Sequence, residues 1–550
     1  MSKLFWSAMA LTASCIIQGE MTTGASADTY DLVILNGRVM DPETGFDQIA
    51  NVGISDGWIV KITTAPIEGE DTVDATAHVV APGFIDSHTH SSQKYAINMS
   101  MMDGVTTAYD SEVGAINIAD WYSREEATWP MNYGTCVSHE IARMVVMDEL
   151  EIDVPVDASN LFALRALSSS EDGVADWSVT RASVEQMNRI MQIVDKGLQE
   201  GGLCAGSTVG YAGVGISTYE QFELQRTAAR YGRATGVHGR FHTSATNPEA
   251  PLGFAEVFTN AFLLDAPLLY SHNNDYGWWE IEEKLQMARA KGLNMWAEYY
   301  PYTAGSTSIA SDQLTPDAIA ALGLKYEDIM YDPSQDQFLT IEEYKQVAED
   351  DPGRTVIVFN PAREEWLPQW LRVPNMVVGS DSMWYTEDLG LRGDPLLFAG
   401  HPRTSGSHST VLKLAREEGV PLMFTLSQLS YWPAYHMGAT GVEFLNVRGR
   451  MQEGMAADIV IFDPETVGPG SDYQSGTQGL PPRGMPHVVV NGVFVKRDGA
   501  ATGALPGKPM RFPPENQPRH EPVDTQVWQE TFTLQDAALD GTGPGFGEGD

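Results

Sequence analysis

Two histidines one residue apart, His88 and His90 in the stretch GFIDSHTH, follow an apolar pair and an acid. In an extended chain, residues i and i+2 point to the same face, so both imidazoles aim at one point. An isolated His-x-His is more often a pair of surface histidines at a strand end. Here the pattern recurs. His238 follows Gly236-Val237, His272 follows Leu268-Leu269-Tyr270-Ser271, and Asp381 follows Met376-Val377-Val378-Gly379-Ser380. A further acidic residue lies shortly after Gly104. Imidazole and carboxylate together suit zinc and related divalent ions. A bound metal lowers the pKa of its water and polarises a carbonyl. An aspartate beside that water can take its proton and pass it to a leaving amine. These are the parts needed to hydrolyse an amide.

The elements that must position these residues alternate. Val184, Met187, Met191, Val194 and Leu198 recur at helical spacing behind Ser183, with Gln186 three residues on as a capping box. A second helix opens at Ser217-x-x-Glu220 and stops at Gly232. Short apolar strands intervene, TGVHGRF, LLYSHNN, NMWAEYYPY, TVIVF and NMVVGSD, with the chemical residues at their C-terminal ends. Strand–helix alternation of this kind implies a parallel sheet, open or closed into an eight-fold barrel, and barrel sites sit at that face.

Both chain ends carry β-rich runs broken by Asn-Gly, a hairpin signal: DLVILNGRVMDPETG (31–45) and HVVVNGVFVKRDGA (487–500). Between them GMAADIVIFDPETV (454–467) reads as another strand pair. The expectation is one small β-domain assembled from both ends around a large inserted domain. Residues 303–354, rich in Asp, Glu and Gln, interrupt the strands and read as a lid or as a surface excursion. The tail after Phe512 is polar and rich in Gly and Pro and is expected to wrap the surface or lack order.

The chain has 550 residues, 43% of them apolar, and a formal charge of −40. That charge argues against nucleic acid, whose phosphates need basic patches. Residues 1–27 read as an export signal, with Lys3, an apolar run from Leu4 to Ile17, and Ala25-Ser26-Ala27 before the cut. Export to the periplasm or beyond is expected, with no membrane span in the mature chain. Of the remaining cysteines, Cys136 and Cys204, a disulfide is permitted in an oxidising compartment, and two buried packing thiols are an equal reading.

GFIDSHTH after HVVAP, then GVTTAYDSEVG, the later histidines, GSD, HPR and GRMQEGMAADIVIFDP together resemble the amidohydrolase superfamily. YPYTAGS (300–306) and HPRTSG (401–406) narrow the resemblance to the N-acyl-D-amino-acid deacylases. It covers most of residues 31–500. It implies a (β/α)8 TIM-type barrel over 84–440 with its insertion at about 303–354. A composite β-sandwich is implied from 28–83 and 441–511, followed by a tail at 512–550. It implies one or two divalent ions, zinc first. His88 and His90 would bind one with Asp381, and His238 and His272 the other. Asp381 would be the general acid/base, Arg403 would grip the substrate carboxylate, and Tyr300 and Ser306 would touch substrate. A guanidinium fork suits a carboxylate.

This chain departs from the pattern in two places. Such deacylases carry a metal-binding cysteine after GVTT, but Asp110-Ser111-Glu112-Val113-Gly114 has none. Glu112 is the natural replacement, able to bridge two metals, with Asp110 the alternative. Asn274 stands where relatives often place lysine. His139 reads as a core residue or a pocket wall, His242 as a neighbour of the ligands, His408 and His436 as surface or helix positions, and His78 as part of the β-domain. The expected substrate is a small N-acyl amino acid, and the resemblance implies the D configuration. The rivals are a cyclic amide, as in dihydroorotase- or hydantoinase-like enzymes, and a structural relative that has lost catalysis.

Overall fold

The computed structural model of the protein describes residues 29–168, 175–241, 250–311, 314–321, 323–383 and 393–533. The export signal, His242 and the end of the tail lie outside the described residues. Eight parallel strands form one sheet: β1 (Phe84–Asp86), β2 (Val105–Ile116), β3 (Asn132–Ser138), β4 (Ala205–Ser207), β5 (Thr235–Val237), β6 (Leu268–Tyr270), β7 (Met295–Tyr299) and β8 (Val377–Val378). Each pairs with its neighbour in this order. The segments that follow β8 and β1 close the ring, with Asp381 N–H donating to His88 O (2.8 Å) and His90 N–H to Ser382 O (2.9 Å). The fold is a (β/α)8 barrel.

Strand parity sorts the core. Ile85, Tyr109, Cys136, Leu269, Trp296 and Val377 share one buried cluster. Their alternating neighbours Ala108, Val137, Leu268, Tyr270, Met295 and Val378 belong to a second cluster with the outer helices. The helix Val184–Gln199 carries the expected capping box of Ser183 and Gln186, and Thr218–Arg230 is capped by Ser217. Among the described residues no helix is long and apolar enough to cross a membrane.

The β-domain does draw on both ends. Tyr30–Asp41, Phe46–Ser55, Trp58–Thr63, Gly69–Asp74 and Val79–Pro82 join Ile459–Phe462, His487–Val490, Val493–Arg497 and Ala500–Ala501 in one nine-stranded sheet. The sheet encloses Leu32, Ile34, Val52, Val80, Ile459 and Val489. One local reading holds and two are corrected. Asn491-Gly492 is a hairpin turn with both residues at positive φ (48° and 81°). Asn36-Gly37, by contrast, lies inside a continuous strand. There the left-handed Asn36 makes a bulge, and the strand changes partner from Gly69–Asp74 to Val79–Pro82. Gly37 is required because a Cβ would fall 2.3 Å from Val80 Cγ2. The stretch 454–467 holds one strand, Ile459–Phe462, whose two edges are filled by Val79–Pro82 and His487–Val490.

TVIVF (355–359) is not a barrel strand. It pairs antiparallel with Ala304–Ser308 and Met330–Asp332 in a separate four-stranded sheet. The insertion therefore runs on to Phe359 and has its own core of Ile309, Tyr326, Ile329, Tyr344, Val356 and Val358. Cys136 and Cys204 are joined in a disulfide, not free packing thiols. His408 and His436 lie on helices, and the surface reading is wrong for both: each is about 1% exposed. Flat rings hold them there, Phe84 against His408 and Trp296 against His436.

Candidate active site

The residues singled out in the sequence meet at the C-terminal mouth of the barrel in two groups, His88, His90 and Asp381, and Glu112, His238 and His272. Within each group the candidate ligand atoms lie within 4.8 Å of one another. All six residues are buried. His272 and Asp381 sit at positive φ (29° and 51°), backbone conformations that turn their side chains over the barrel mouth.

Glu112 ties the groups together. Its Oε1 lies 3.3 Å from His238 Nδ1, and its Oε2 lies 3.0 Å from His272 Nε2 and 3.4 Å from His88 Nε2. Asp110 takes a different place: its Oδ2 faces His90 Nδ1 at 3.2 Å, and its Oδ1 accepts the backbone N–H groups of Glu112 and Val113. Asp110 thus orients His90 and shapes the turn that presents Glu112.

Sequence reasoning missed Glu298. Its Oε1 receives His88 Nδ1 and its Oε2 receives Ser87 Oγ (2.6 Å). With both Nδ1 atoms engaged by carboxylates, the Nε2 atoms of His88 and His90 face each other at 2.9 Å. Two imidazole lone pairs at that separation call for positive charge between them. Burial pushes the His88 pKa down, but the carboxylates of Glu298, Asp381 and Glu112 outweigh it and raise it to about 9. Burial alone would raise the Glu112 carboxyl, yet His238, His272 and His88 hold it well below the usual range. The donor set, four imidazoles and two carboxylates in a buried, cation-seeking cluster, fits one or two divalent ions.

Arg403 Nη1 bonds Asp381 Oδ2 at 2.7 Å, while Asp381 Oδ1 is 3.2 Å from His90 Nε2. Burial opposes ionisation of Asp381, but Arg403, His88 and His90 keep its carboxyl far below the ordinary value. Tyr300 Oη accepts from Arg363 Nη1 (2.8 Å), and Arg363 is itself paired with Asp275 (2.8 Å). Asn274 donates to Tyr300 O (2.9 Å), so it braces the backbone of that residue. His401 accepts the Arg403 N–H at Nδ1 (3.0 Å) and donates from Nε2 to Ala304 O (3.0 Å). Two adjoining cavities of about 50 and 30 Å³ open on this cluster. The insertion supplies part of their wall through Ser306 and Thr307. Its strand therefore lines the site rather than standing clear of it. Among the described residues, a wider groove of about 430 Å³ beside Trp278 and Trp279 is lined by no histidine or cysteine. His139 is turned away from the cavities, bonded to Glu220 (3.0 Å), which also holds Arg143.

No protein-family model matches the chain. It is 23% identical to D-aminoacylase of Alcaligenes xylosoxydans xylosoxydans over 526 residues, 88% of this chain and 98% of that protein. The chain resembles the D-aminoacylases. N-acyl-D-glutamate deacylase of the same organism is 25% identical over 85% of this chain and 94% of its own length. Among solved structures, a D-aminoacylase described as defining a novel subset of amidohydrolases superposes with a TM-score of 0.68 at 20% identity. It covers 88% of this chain and all of its own. N-acyl-D-glutamate deacylase from Bordetella bronchiseptica, solved with zinc and a phosphonate inhibitor, superposes with a TM-score of 0.70 at 20% identity and the same coverage.

Proposed function

We propose that this chain removes the acyl group from an N-acyl amino acid, of D configuration, by metal-dependent hydrolysis. The coarser part of the reading is an amidohydrolase acting on carbon–nitrogen bonds other than peptide bonds. It is supported by likeness to D-aminoacylase and two N-acyl-D-amino-acid deacylases over at least 85% of the chain. The observation that carries the finer part is the Asp381–Arg403 pair standing beside the two donor groups.

His88, His90 and Asp381 would hold one ion, and His238 and His272 the other, with Glu112 between them. A divalent ion supplies there a water of lowered pKa and a Lewis acid for the amide carbonyl. Asp381 takes a proton from the attacking water as the C–O bond forms. It returns that proton to the nitrogen as the C–N bond breaks, leaving a carboxylic acid and a free amine. Arg403 keeps Asp381 ionised and ready to accept. It also presents a guanidinium to the substrate carboxylate, with Tyr300 and Ser306 lining the same cavity. The Cys136–Cys204 disulfide supports export to an oxidising compartment.

The test is chiral. The metal-loaded protein is given racemic N-acetyl amino acids, and the released amino acids are resolved. Release of mainly the D enantiomer is expected. No release from any member, with metal bound, would move the assignment to cyclic amides such as hydantoins, whose hydrolases share the fold (TM-score 0.53).

A further inference from the structure

The segment that carries Glu112 is an excursion of β2, and a disulfide lies against it. β2 and β3 stay in register as far as Asp110 with Thr135 and resume at Ala115 with Val137. Residues 111–114 therefore stand opposite the single residue Cys136. Cys136 is bonded to Cys204, just ahead of β4, with Cα atoms 4.5 Å apart. Cys204 Sγ lies 3.8 Å from Ser111 O, and a Cβ on Gly114 would lie 2.5 Å from Cys136 O. The excursion is thus in contact with both halves of the crosslink. Both cysteines are buried in the barrel interior with Tyr109, Leu269 and Trp296, on the floor of the site.

We propose that the Cys136–Cys204 disulfide is a positioning crosslink for the metal centre: it locks β3 to β4 beneath the excursion and so holds Glu112 between His238, His272 and His88. The inference rests on Glu112 being a ligand, as assigned above. A carboxylate that serves two groups must place both oxygens at once, and a movement of its backbone by about 1 Å spoils the fit. The strands themselves do not depend on the crosslink. Leu203 N–H still donates to Thr135 O (3.0 Å), and Val137 N–H to Cys204 O (2.8 Å). Loss of the disulfide should therefore loosen the excursion while leaving the barrel folded.

The double variant Cys136→Ala with Cys204→Ala is purified and compared with the parent. Circular dichroism reports the fold, and equilibrium dialysis against cobalt(II) counts bound ions and their affinities. The cobalt visible spectrum reports ligand geometry. The expected result is a folded protein in which cobalt binds on the order of tenfold more weakly or worse, with an altered spectrum. A lowered melting temperature with unchanged ion count, affinity and spectrum would overturn the proposal, leaving the disulfide a stability crosslink only. Should the double variant not fold, the parent protein is reduced while native and its thiols are titrated. Cobalt loss to a chelator must then accelerate on reduction, and an unchanged rate would also overturn the proposal. Glu112→Gln separates the two assignments. If it binds cobalt as the parent does, the ligand assignment fails and this inference with it. If it binds cobalt weakly while the cysteine variant does not, only the crosslink role fails.

Discussion

Glu298 shows what one carboxylate behind a histidine does. It fixes the His88 proton on Nδ1 and leaves Nε2 to face His90. Such partners typically contribute 10–100-fold to metal affinity. Glu298→Gln is therefore expected to weaken ion binding by roughly that factor, measured by titration against a competing chelator, while Asp381 remains in place. Arg403, bonded to Asp381, is the residue proposed above for the substrate side. Arg403→Met should lower kcat/KM by roughly thirtyfold, about 2 kcal/mol for a lost charge-assisted bond. It should also move the acid limb of the pH–rate profile to higher pH. Burial then works on Asp381 without the guanidinium that opposes it. An acid limb that stays where it was would show that Arg403 does not set the ionisation of Asp381. His88, His90, His238, His272 and Asp381 were legible in the sequence because each ends an apolar run, where a barrel points side chains at its mouth. Glu298 was legible too, by parity: Trp296 faces the barrel interior, so the residue two places on faces the site. It was passed over because a lone acid in a strand carries no motif.

At the scale of elements, the site depends on close backbone approaches that motifs do not describe. The Glu112 excursion crosses the ends of β4 and β5. A Cβ on Gly206 would fall 2.3 Å from Glu112 O, and one on Gly236 would fall 1.9 Å from Ser111 O. Both obstacles are backbone atoms, which cannot swing aside. Gly236→Ala is expected to cost about 3 kcal/mol, the upper end of overpacking penalties, and to lower bound metal. Thermal melts and metal analysis of the purified variant would check this, and a parent-like metal content would show that the excursion tolerates the shift. The eight-fold alternation was readable because apolar runs and capped helices have distinct periods. The misplacing of TVIVF has the same origin. An apolar run of five has no period that tells a parallel barrel strand from the middle of an antiparallel insertion sheet, and only its partners Ala304–Ser308 and Met330–Asp332 decide. Asn-Gly is ambiguous for a related reason: the left-handed geometry that makes a hairpin at Asn491 makes a bulge at Asn36.

At the scale of the whole molecule, the base of the barrel is closed by the helix Trp432–Gly438, and one histidine there couples stability to pH. His436 stacks on Trp296 with ring centres 5.1 Å apart and planes 6° apart, and its Nδ1 donates to Asn294 Oδ1 (2.9 Å). Burial, with Arg289 nearby, pulls its pKa from 6.5 to about 3. The folded protein therefore keeps His436 neutral where the unfolded chain protonates it. The group's contribution is fully present above pH 6.5 and declines as the pH falls from there towards 3. Between pH 6.5 and pH 5 the loss from this residue alone is about 2 kcal/mol, by 1.36 kcal/mol per pH unit. His436→Gln removes the titration but keeps a donor for Asn294. Every other group is shared by the two proteins, so the difference between parent and variant isolates His436. The variant is expected to be less stable than the parent at pH 7, because the flat stack on Trp296 is lost, and to recover about 2 kcal/mol of that deficit at pH 5. Urea unfolding of both proteins at the two pH values measures it. A deficit of equal size at pH 7 and pH 5 would mean that His436 takes up its proton without leaving the stack, and that the base of the barrel does not sense acid through this residue.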